Sequence, residues 1–140
     1  MQIKADSADA PARLKLAMVG CLVGSIGHLT HNVAFFDAYP EPAWLDARWL
    51  DLWSVVAVAS LIVGYLQRQR VARKSGGRSM LGLCLMLVFL ISSLLVVMHY
   101  RYDGASEMSF VMHALIWLQF LPTLWLGREL ARSWRRLSSN

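Results

Sequence analysis

The sequence predicts an all-α integral membrane protein. The expected architecture is an up-down bundle of four transmembrane helices, with N- and C-termini cytoplasmic and a short interfacial helix in the first outer loop. Three observations predict it. Of 140 residues, 56% are hydrophobic and 16% charged, against about 25% charged in a soluble domain. The apolar residues fall in long blocks, and mean hydropathy is +0.43. The basic residues stand between those blocks and favour alternate connections. The same arithmetic excludes a disordered chain, a coiled coil and a disulfide scaffold. The length suits a single domain over residues 1–140.

The segment Met1 to Ala12 is polar and begins too gently for a signal peptide. The first apolar block, about residues 16–36, is too long for a signal-peptide core, so it predicts a retained span. Pro40 and Pro42 end it and favour an extended turn. Trp44, Leu45, Trp49 and Trp53 then recur near helical spacing. That pattern predicts the interfacial helix, with Trp at headgroup level. The second span covers about residues 50–67. Its apolar core, Leu52 to Leu66, is short beside the roughly 17–25 residues a bilayer needs. The third span is about 80–100 and the fourth about 108–126. Residues 127–140 predict a basic amphipathic tail on the inner leaflet, with Leu130, Trp134 and Leu137 on one face. Arg128, Arg132, Arg135 and Arg136 occupy the rest. The plain end of the fourth helix is the alternative.

Orientation follows from Lys and Arg. Lys4, Arg13, Lys15, Arg68, Arg70, Arg73, Lys74, Arg78 and the four tail arginines fall on one side. Arg48 and Arg101 fall on the other. The positive-inside rule places both termini in the cytoplasm of a bacterial-type inner membrane. Asp37, Glu41, Asp46, Asp51, Asp103 and Glu107 lie outside. This topology accounts for the net charge of +5 without a nucleic-acid partner. No basic stripe interleaved with aromatics supports one.

Enzyme readings find nothing to carry them. There is no P-loop, HExxH, GxSxG or nucleotide fingerprint, so no catalytic residue is assigned. The spans hold no carboxylate at central depth, and the chain is short for a repeat-built transporter. Cys21 and Cys84 lie in separate spans as small packing residues.

The histidines are the notable feature. Gly20, Gly24, Gly27 and His31 share a narrow sector of the first helix, with His28 on its edge. Small residues let another helix approach there. His113 and His31 come out at similar depth in the outer half of the membrane, with His28 deeper and His99 nearer the rim. Met98 precedes His99, Met112 precedes His113, and Met108 lies one turn before Met112. Imidazole with thioether suits copper, and paired imidazoles suit haem b. His31 and His113 would be primary ligands, His28 and His99 secondary, and Met112 or Met108 auxiliary. Such a site would serve redox relay or metal handling. Zinc would need Glu107 or Asp103 in addition.

A second reading makes the histidines interhelical contacts in a non-catalytic accessory or assembly subunit of a larger membrane complex. Its partners are the lipid bilayer and either that complex or further copies of the chain. The sequence leaves open whether Trp117, Phe120 and His113 line a lipid or quinone pocket. Pro122 frees the Leu118 carbonyl, and Gln119 stands beside the break.

Overall fold

The computed structural model describes residues 10–35, 46–75, 79–102 and 108–138. Among these residues there are four long helices and no strand. They are α1 (Ala10–Ala34), α2 (Ala47–Ser75), α3 (Met80–Leu94) and α4 (Phe110–Ser138). A 3-10 turn, Leu95–Met98, and one α-turn, His99–Tyr102, prolong α3.

Capping residues set three of the helix starts. The Asp46 carboxylate accepts from the Arg48 amide at 2.7 Å. Ser79 Oγ accepts from the Gly82 amide at 3.0 Å, and Ser109 Oγ accepts from the Met112 amide at 3.2 Å. Each satisfies a first-turn N–H that has no partner inside the helix.

Three helical stretches are long and apolar enough to cross a membrane: Pro11–Ala34, Met80–Met98 and Phe110–Arg135. α1 sorts its side chains inside out relative to a soluble bundle, whereas α3 and α4 bury large apolar groups such as Met86, Phe89, Ile116 and Leu126. On α1 the inward positions are Leu14, Ala17, Cys21, Gly24, Ser25, His28 and Asn32, while Leu16, Val19, Val23 and Ile26 face out. Large aliphatic groups outside and small or polar groups inside is the arrangement that lipid selects, because lipid tails give no hydrophobic drive between helices. The centre of the α1 face runs one position beyond the expected Gly20–Gly24–Gly27–His31 stripe. His28 is therefore buried and His31 half-buried.

α1 packs chiefly on α4, and α2 on α3, with α3 also touching α4. A Cβ at Gly24 would lie 2.5 Å from the Leu118 carbonyl oxygen, one at Gly20 3.0 Å from Pro122, and one at Gly27 3.1 Å from Leu115. Rising numbers on α1 meet falling numbers on α4, so this pair is antiparallel. Its tightest point is the carbonyl that Pro122 leaves without a helical donor. Gly64 and Gly82 make the second close crossing, each placing a Cβ 2.7 Å from the other's carbonyl oxygen.

Two apolar clusters fill the interior. One joins Leu14, Cys21, Leu61, Met86, Phe89, Leu126 and Leu130 among others; the second is Val96, Met108, Met112 and Ile116.

Some boundaries differ from the expected ones. α2 extends beyond 50–67 in both directions, and Trp49 and Trp53 lie within it, not in a separate interfacial helix. Trp44 and Leu45 lie outside the described residues. α4 runs unbroken from Phe110 to Ser138, so the basic segment continues it. Leu130, expected on the lipid-facing side of a flat tail, is buried against the bundle instead.

Candidate functional site

The polar interior is built from α1, α3 and α4. His28 and Gln119, each under one-tenth exposed, meet at 2.7 Å between Nδ1 and Oε1. Because the carboxamide oxygen only accepts, His28 Nδ1 carries the proton. The Gln119 amide then donates to Ser93 Oγ at 3.2 Å. One glutamine thus links three helices. Thr123 Oγ1 donates to the Gln119 carbonyl at 2.8 Å, which further fixes the helix beside Pro122. Cys21 Sγ lies 3.9 Å from that same hydroxyl. Ser25 and Asn32 are buried on the same face of α1.

The other expected ligands lie apart from this chain of contacts. His31 is half-buried, its ring 4.7 Å from that of Phe35. His113 is half-buried and meets Tyr100: the phenol oxygen is 3.1 Å from Nδ1, and the rings are 5.6 Å apart. His99 opens the last α-turn, and its side chain falls outside the described residues, as do Asp103 and Glu107. Met108 and Met112 are buried in the second apolar cluster with Val96 and Ile116. Among the described residues, no three His, Cys, Asp or Glu side chains gather closely enough to hold a metal ion. At the level of Gly24 the α1 and α4 backbones touch, so no planar cofactor fits between them there. Trp117 and Phe120 pack edge to face at 5.7 Å, with Trp117 half-exposed.

Three participants are not apparent from the sequence. Ser93 engages Gln119, whereas its neighbour Ser92 bonds back to the Val88 carbonyl. Tyr100 holds His113. Glu129 is a buried acid on α4, 2.6 Å from Arg132 and 4.0 Å from Arg13 of α1. Beside it, Ser133 Oγ donates to the Glu129 carbonyl and accepts from Arg68 of α2 at 3.3 Å. This second polar group closes the opposite end of the bundle. An acid three residues before an arginine on one helix was the available signal for it.

No family model, curated protein or solved structure matches this chain.

Proposed function

We propose that the chain is a non-catalytic accessory or assembly subunit of a larger membrane complex, and that its histidines act as contacts between helices. The observation that carries this reading is the His28–Gln119–Ser93 chain, which ties α1, α4 and α3 together beside the Gly24 contact. A histidine so engaged orients helices, and packing supplies its partners. In this reading four helices cross the membrane in up-down order with both termini cytoplasmic. The antiparallel register of α1 on α4 and the one-sided distribution of Lys and Arg support that topology. The outward aliphatic faces of all four helices are then available to lipid and to a partner's helices.

The test is extraction from the native membrane in mild detergent, followed by mass measurement of the intact particle. A stoichiometric second protein is expected. Recovery solely as monomer or homo-oligomer would overturn the subunit reading.

A ligand site for copper or haem b is the second reading, and one observation favours it. His28 donates through Nδ1 to a carbonyl oxygen, as metal-ligating histidines do, which makes Nε2 the nitrogen that would carry a ligand. An absorption spectrum and metal content, taken on that same preparation, test it. A haem band or about one equivalent of copper, lost in His28→Ala, His31→Ala or His113→Ala, would support it. A colourless, metal-free folded protein would dismiss it.

A further inference from the structure

A groove of about 390 Å³ runs along the outside of the α3–α4 seam. Leu83, Leu87 and Leu90 form one wall, at helical spacing on α3. Gly127 and Ala131 floor the other, and the groove ends at Trp134 and Arg135. A Cβ at Gly127 would lie at ordinary contact distance, 3.4 Å, from Leu90, so the glycine adds width to the groove there. The lining is thus almost wholly apolar, and Arg135 stands at one end. That end lies in the arginine-rich last turns of α4, with Arg128, Arg132 and Arg135 on one helix.

We propose that this groove binds an anionic phospholipid. One acyl chain lies along Leu83, Leu87 and Leu90, and the phosphate sits on the Arg135 guanidinium. The proposal rests on the reading that these helices cross a membrane. Three features select this occupant. An acyl chain is the apolar ligand available in bulk to an outward-facing seam. Tryptophan at the mouth belongs at headgroup depth. A guanidinium meets a phosphate with two parallel hydrogen bonds, which a zwitterionic headgroup offsets with its own cation. Basic pockets between membrane helices hold anionic headgroups on these grounds.

The experiment uses the full chain in mild detergent, with intact-particle mass spectrometry. Phosphatidylglycerol and phosphatidylcholine of identical chains are added at equal concentration. Phosphatidylglycerol is expected to remain bound about fivefold more than phosphatidylcholine, the factor that one basic side chain at an anionic surface gives. Arg135→Gln should abolish the preference while leaving both lipids weakly bound. Ala131→Trp, at an exposed groove position, should reduce binding of both lipids with helicity unchanged. Equal retention of the two lipids overturns the proposal, as does a preference that survives Arg135→Gln. A dimer that excludes lipid from the seam also overturns it. Flotation of the same protein with vesicles separates the two ideas. A chain that fails to float refutes the membrane reading itself; one that floats without lipid preference refutes this proposal alone.

Discussion

Gln119 does at residue scale what a hydrophobic contact cannot do between helices in lipid. It accepts from His28 and donates to Ser93, so both ends of its carboxamide are used. Interhelical polar contacts of this kind average about 0.6 kcal/mol and reach about 1.7 kcal/mol. His28→Leu and Gln119→Leu should each destabilise the folded bundle by roughly 1–2 kcal/mol, since each leaves a buried partner unsatisfied. The double variant should cost less than the sum of the two, by about the coupling of the pair. Reversible unfolding in mixed micelles measures all three; strictly additive losses would show that the contact contributes nothing. Glu129 is the second such residue. Glu129→Ala should cost about 1–3 kcal/mol, because Arg13 and Arg132 lose a buried acceptor. Glu129→Gln should recover part of that loss in the same unfolding assay. The sequence makes His28 and Gln119 visible as polar residues in apolar blocks. It does not reveal that they meet, because the pairing depends on how far each helix is rotated. Glu129 escapes notice for a related reason: it lies just beyond the apolar block, and Arg13 of α1 covers it.

At the scale of elements, the glycines decide how near two helices come. The contact distances rank them. Gly24 faces backbone atoms of α4, which cannot move aside; Gly20 faces the ring of Pro122; Gly127 faces the tip of Leu90 at 3.4 Å. Gly24→Ala should therefore destabilise by roughly 1–3 kcal/mol as an overpacking change. Gly127→Ala should instead stabilise by up to about 1 kcal/mol, since alanine suits a helix interior better and finds ordinary contact distance. Thermal unfolding of the two variants side by side checks the opposite signs. The Gly20–Gly24–Gly27 stripe was legible as a packing face, and it does meet α4. Its exact rotation was not. Spacing by itself locates a sector about 100° wide. A shift of one residue within that sector exchanges His31 for His28 at the centre. The crossing of Gly64 with Gly82 was less visible still, because each is a lone glycine in its own block and the contact needs both.

For the whole molecule, the informative quantity is charge placed relative to the apolar blocks. Fourteen Lys and Arg residues divide twelve to two between the two sets of connections. Topology follows as an expectation that labelling tests. In a Cys21→Ala, Cys84→Ala background, cysteine at Arg48 or Arg101 should react with an impermeant maleimide added to intact cells. Cysteine at Arg73 or Arg135 should react after the membrane is opened. The opposite pattern would reverse the orientation. The helical class, the four long helices and their approximate positions were readable from composition and block length. The extent of α2 and α4 was less so: both carry arginine-rich ends that lower their hydropathy yet remain helical through Ser75 and Ser138. Arginine is a good helix former, so charge ends the apolar block without ending the helix.

The α1–α4 contact also has a consequence for how the bundle is made. Its two helices stand at opposite ends of the described chain, with α2 and α3 between them. A ribosome therefore delivers α1 well before the helix that receives it. Through that interval His28 lacks its Gln119 contact, and Gly24 presents bare backbone toward lipid. α2 and α3 are born as neighbours and, in the proposed four-span topology, would join at Gly64 and Gly82 as soon as both were inserted. Assembly then runs from the middle outward, with arrival of the final helix as the closing event. A nascent chain halted after residue 102 should persist as a hairpin with an unclosed first helix. Quality-control proteases of the membrane should remove it faster than the full-length chain, which pulse-chase labelling would register.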